Sequence, residues 1–195
     1  RKAGFYYIII VVFSALYNLS LPLHPDEAYY WVWSRNLQLS YFDHPPLVAY
    51  FIKIFTTVSN EEFFIRLVTV VSMAVTAYLI YLMARDMFNQ RTAEISLLLF
   101  LLMPLVQAGF IVVTPDSPLI LFWTLALYFF YKYVFKKKNK KRYLYATAVS
   151  GGLLLLAKYT GILLLASFLL YLIFSKKRRL LREKEVYLGV LIVFL

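Results

Sequence analysis

Four short stretches of this 195-residue sequence hold side chains that could move protons or bind charged ligands. They are His24-Pro25-Asp26-Glu27, Asp43-His44-Pro45-Pro46, Thr114-Pro115-Asp116-Ser117-Pro118 and Ala157-Lys158-Tyr159-Thr160. Both histidines of the chain are among them. A carboxylate held at a cavity on a membrane edge can act as a general base, which nominates Asp26, with Glu27 beside it, and Asp116. Asp43 and His44 offer oxygen and imidazole donors that suit phosphate or a divalent metal such as Mg, Mn or Zn, although no regular ligand spacing accompanies them. Lys158, followed by Tyr159, is a lone cation with no acid near it in sequence and suits a lipid phosphate.

Each stretch also has a plain structural reading. Pro25 at a first helical position with acids behind it is how helices begin, because acids complement the helix dipole. Asp116, between Pro115 and Pro118, suits a helix N-cap. Asp43-His44-Pro45-Pro46 suits a proline-forced corner, since proline lacks a donor and disfavours helix in the residue before it; that explains the prolines but not Asp43 and His44. Lys158 could simply extend its ammonium to the membrane surface.

The elements that must position these groups are membrane helices. Hydrophobic residues make up 62% of the chain and aromatic residues 19%, too apolar for a soluble domain of this length. Cysteine is absent, so any metal would sit on oxygen or imidazole. The net charge of +11 comes from basic runs flanking apolar stretches, not from a basic face, which argues against a nucleic-acid partner.

Apolar stretches of about 20 residues match the hydrocarbon thickness of a bilayer. They occur at Gly4–Leu23, Phe64–Ala84, Ala93–Val113 and Leu119–Phe135. The block from Tyr143 to Phe174 is too long for one crossing. Short cytoplasmic loops collect Lys and Arg. An inside N-terminus places all but four of the 21 basic residues (Arg35, Lys53, Arg66 and Lys158) on the inner side. Basic runs then flank the long block on the same side, so it must be a hairpin of Tyr143–Ala157 and Thr160–Phe174 turning near Lys158, with the turn recessed in a wet cavity.

A further helix is expected to start over Val186–Leu195. The loop Pro22–Phe63, rich in aromatics from Tyr29 to Phe42, is expected to hold an interfacial helix, and Leu47–Val58 a short apolar segment on or dipping into the surface. No small-residue cleavage site follows the first apolar run, against a cleaved signal peptide. The start at Arg1-Lys2 and the stop inside an apolar run lead us to expect a piece of a longer protein. The expected fold class is all-α: one polytopic transmembrane bundle over residues 1–195.

Taken in order, the four motifs resemble the GT-C superfamily of membrane glycosyltransferases, in the branch with protein O-mannosyltransferases and the lipid A aminoarabinose and galacturonic acid transferases. The most telling part runs from His24 through Trp31 and from Tyr41 to Leu47. The resemblance covers nearly the whole sequence and implies the N-terminal half of the family's transmembrane module. It further implies transfer of a sugar, with inversion, from a polyprenyl-phosphate carrier to an acceptor on lipid A, another glycan or a protein.

On that resemblance Asp26 is the base or acceptor-orienting carboxylate, Asp116 a second acid and Glu27 a supporting one. His44, Lys158 and Tyr159 meet the carrier phosphate, with a divalent metal on Asp43 and His44 as an option. The site would lie on the periplasmic side of a bacterial inner membrane. In the aminoarabinose transferases the positions of His44 and Tyr29 look like Lys and Arg; these departures point away from aminoarabinose transfer itself. Rival classes are a transporter or flippase of lipid-linked sugars, which predicts ionisable residues within several spans, and a non-catalytic subunit of the same fold. Here the spans are nearly free of charge and the polar groups sit at one end.

Overall fold

The computed structural model describes residues 2–136 and 140–194; Arg1, Leu195 and residues 137–139 of the central basic run lie outside it. Among the described residues the chain is helical, with no strand. The helices are α1 (Lys2–Tyr17), α2 (Pro25–Arg35), α3 (Leu47–Phe55), α4 (Glu62–Met87), α5 (Gln90–Leu102), α6 (Pro104–Ile111), α7 (Asp116–Phe135), α8 (Lys140–Ala157), α9 (Ile162–Phe174) and α10 (Lys184–Val193).

Among the described residues three unbroken segments are long and apolar enough to cross a membrane: Ala3–Ser20, Glu62–Met87 and Asp116–Phe135. The third expected span, Ala93–Val113, is not one straight helix. It breaks at Met103–Pro104 into α5 and α6, bent by 63°, because Pro104 has no N–H to continue the ladder and Met103 turns extended. The Gln107 side chain donates to the Leu101 carbonyl that the break exposes. The first helix also stops short of Leu23: a 3-10 turn at Asn18–Ser20 ends it, and the carbonyls beyond are committed elsewhere. The long apolar block does turn at Tyr159–Gly161, in a 3-10 turn between α8 and α9.

The bundle is held at several levels. At its basic end, Lys132 of α7 donates to Asp86 of α4, with Lys136 3.9 Å from the same carboxylate. Toward the other end Ser117 donates to the Thr69 hydroxyl at 3.2 Å, so α4 and α7 are fixed twice along their length. Small residues bring α10 against α8: a Cβ on Gly152 would stand 3.2 Å from the Val193 carbonyl, the close backbone approach that lipid-embedded helices use in place of hydrophobic driving force.

The loop between α1 and α4 packs instead of trailing along the surface. Tyr30 and Trp33 of α2, Val48, Ala49 and Ile52 of α3, Ile65 and Val68 of α4, and Val113 form one buried cluster. Burial of each large apolar side chain outside lipid contributes roughly 1.5–3 kcal/mol. The aromatics expected at the interface therefore divide: Trp33 stacks on Tyr41 with centroids 4.2 Å apart, whereas Phe42 is fully exposed.

Candidate active site

The start of α2 places the first carboxylates. His24 is the N-cap, with its Nδ1 accepting from the Asp26 amide at 3.3 Å, while the Glu27 carboxylate accepts from the His24 amide at 2.9 Å. This is a capping box with Pro25 at the first helical position. Neighbouring helical residues point about 100° apart, so Asp26 and Glu27 face different surroundings. Asp26 is 64% exposed. Its carboxylate lies 3.7 Å from His24 Nδ1, but that nitrogen already accepts a hydrogen bond, so the two form no ion pair.

Glu27 is fully buried and so is Arg66. Arg66 Nε donates to Glu27 Oε1 at 3.0 Å and Nη2 to Oε2 at 2.8 Å. The other N–H groups reach the carbonyls of Asn18 at 2.9 Å, Leu21 at 2.8 Å and Pro22 at 2.6 Å. Glu27 Oε1 also accepts the Val113 amide at 3.1 Å. A buried ion pair of this kind holds only when the remaining donors are satisfied, and all five guanidinium N–H groups are. The positive-inside pattern places Arg66 on the outer side and gives it no role. The available signal was a lone arginine at the start of an apolar span, which demands a partner.

Asp116 opens α7, but it does not cap it: Pro115 is the N-cap and no side chain closes the helix start. The Asp116 carboxylate instead accepts from Lys158 Nζ at 2.7 Å. The acid that Lys158 lacks in local sequence is thus 42 residues away. Tyr159, next in the turn, is 65% exposed and touches a groove of about 680 Å³ that Pro45, Pro46, Leu156 and Ile162 also line. The turn approaches α8 closely because Gly161 has no side chain; a Cβ there would meet Leu154 Cγ at 2.5 Å.

Asp43 and His44 follow α2 in space. Asp43 accepts from the Tyr29 hydroxyl at 2.8 Å, and this bond holds the Tyr29 phenol above its usual pKa. The His44 ring lies 6.3 Å from Tyr30. Burial raises the Tyr30 phenol as well, and the charges of Asp26, Asp43 and Asp116 act in the same direction. The Glu27–Val113 bond ties the start of α2 to the chain just before Asp116, and the Tyr29–Asp43 bond ties α2 to the Asp43 segment. Among the described residues no three His, Cys, Asp or Glu side chains stand close enough to hold a metal ion. Asp43 and His44 offer two donors between them, and the Tyr29 hydroxyl occupies one Asp43 oxygen.

Comparison with known proteins agrees with this architecture. Residues 43–195 match the family model described as dolichyl-phosphate-mannose-protein mannosyltransferase. Over 44 residues the chain is 48% identical to the lipid A galacturonosyltransferase RgtD of Rhizobium johnstonii, a stretch of 22% of this chain and 9% of that protein. The fold superposes on ArnT from Cupriavidus metallidurans in the apo state with a TM-score of 0.77 at 18% identity, covering 98% of this chain and 39% of ArnT. It also superposes on the protein O-mannosyltransferase Pmt1-Pmt2 complex of S. cerevisiae bound to the sugar donor, with a TM-score of 0.66 at 20% identity. That match covers all of this chain and 31% of the yeast chain, so the chain spans less than half of either structure. An all-helical membrane chain with this family match over residues 43–195 belongs to the dolichyl-phosphate-mannose-protein mannosyltransferase family and has the GT-C glycosyltransferase fold.

Proposed function

We propose that this chain forms the site of an inverting glycosyltransferase that moves a sugar from a polyprenyl-phosphate carrier to an acceptor hydroxyl or phosphate on lipid A, another glycan or a protein. The observation that carries the reading is the Asp116–Lys158 pair, together with the Glu27–Val113 bond that ties the segment of the exposed Asp26 to the chain three residues before Asp116, at the end of the bundle opposite its Asp86 clamp. The groove beside Tyr159 supports a lipid-tailed donor, since its lining is apolar and it opens next to the charged groups.

In this scheme Asp26 takes the proton of an acceptor hydroxyl as that hydroxyl oxygen bonds to the anomeric carbon. The bond from that carbon to the phosphate oxygen breaks, and the leaving phosphate carries the negative charge away. Lys158 and His44 stabilise that charge, Tyr159 adds a hydroxyl at the groove, and Asp116 holds the Lys158 ammonium in place. The site faces the periplasm and the basic loops the cytoplasm, on the positive-inside pattern.

The test is sugar release from a radiolabelled polyprenyl-phosphate donor by the full-length protein, with Asp26→Asn and Asp116→Asn alongside wild type. Loss of transfer in both variants is the expected result. Normal transfer in both refutes the scheme.

A further inference from the structure

Beneath Asp26 lies an ion pair that the proposed chemistry leaves unused. Glu27 and Arg66 have side-chain exposures of 0% and 2%, so neither can reach donor, acceptor or bulk water. Their contacts converge from four directions. Glu27 is covalently next to Asp26, and its Oε1 holds the Val113 amide, three residues before Asp116. Arg66, from α4, holds three carbonyls of the segment that leads from α1 into α2. Asn18 of that same segment donates to the Phe110 carbonyl at 2.9 Å, on the other side of Val113.

We propose that Glu27 and Arg66 are positioning residues whose buried pair sets the separation between Asp26 and Asp116. The segment carrying Asp26 and the segment carrying Asp116 share no covalent connection shorter than the whole of α2 to α6. Their polar links are the Glu27 carboxylate, which Arg66 orients, and the Asn18–Phe110 bond beside it. A network with every donor satisfied in a low-dielectric interior has one favoured arrangement, and two reacting groups held by it keep a fixed distance. Glu27 therefore acts through its neighbours, not as an acid or base. The inference rests on the transfer reading only where catalysis is the readout.

Two measurements on the full-length protein test it. In the transfer assay Glu27→Gln, which keeps one acceptor oxygen but turns an NH2 toward either the His24 or the Val113 amide and breaks the charge match, should lower kcat about 100-fold, as misplacement of reacting groups does. The donor KM and both limbs of the pH profile should stay as in wild type. Loss of one limb would make Glu27 an acid or base and overturn the proposal, as would wild-type kcat in a folded variant.

The second measurement needs no activity. Amide hydrogen exchange should rise in Glu27→Gln and in Arg66→Lys at two separate segments together, residues 18–27 and 110–116, while α7 and α8 keep their protection. A rise confined to the segment bearing the substitution overturns the coupling. A wild-type protein that transfers no sugar refutes the transfer reading instead, and the exchange pattern still decides this one.

Discussion

Asp116→Asn separates chemistry from stability. Asp116 is 58% exposed and Lys158 30% exposed, with 2.7 Å between the charged atoms. Ion pairs this accessible to water contribute only about 0.2–1 kcal/mol, and the amide of asparagine still accepts a hydrogen bond from Lys158. The variant should therefore unfold within about 1 kcal/mol of wild type. Its transfer rate should nevertheless fall on the order of 10²-fold, because the ammonium that meets the leaving phosphate keeps only a weaker, neutral acceptor and loses the counter-charge that holds it in place.

The assay is radiolabelled sugar release in detergent or nanodiscs, run beside thermal unfolding of the same samples. Lys158→Gln and the double variant complete a cycle. Groups that act through one contact are non-additive, so the double variant should lose little more than the worse single one. Additive losses would show that the two residues act separately and refute the role given to their contact. A large drop in unfolding temperature for Asp116→Asn would refute the assumption that the pair is structurally minor.

Arg66→Met, by contrast, leaves Glu27 charged and buried and should cost about 3–5 kcal/mol, measurable as a collapse of folded yield or unfolding temperature. Gly161→Ala should displace the turn bearing Lys158, since the new methyl meets Leu154; overpacking of this kind costs about 1–3 kcal/mol, and sugar transfer should fall further than stability. Tyr29 has a phenol pKa raised in the folded state by its bond to Asp43. Its contribution to stability is therefore present below its unfolded value of about 10 and is lost as pH rises through the folded value. Asp43→Asn should lower the titration of one tyrosine in ultraviolet spectra and weaken that alkaline loss.

Much of the fold was legible in the sequence because bilayer thickness and basic loops are strong constraints: the spans over α4 and α7 and the turn after Ala157 follow from them. The break at Pro104 was not read, since the apolar run continues through it. The site was legible as a set of motifs, but its pairings were not. Asp116 and Lys158 are 42 residues apart, and Glu27 and Arg66 are 39 apart; no local pattern joins such residues. Asp116 was also open to the reading of a cap, because a proline-flanked acid at a helix start looks the same whether its carboxylate turns to the backbone or away from it.

The buried pair also carries information about assembly during synthesis. Arginine is among the costliest side chains to place in a membrane alone, yet Glu27 and the three carbonyls that receive Arg66 all precede it in the chain. Every partner of the guanidinium has thus already left the ribosome when α4 enters the bilayer, and the charge can be matched at once. The Val113 amide joins later, and the Asp116–Lys158 contact can form only after α8 has been made. The foundation beneath the site can be laid before either half of that contact is synthesised.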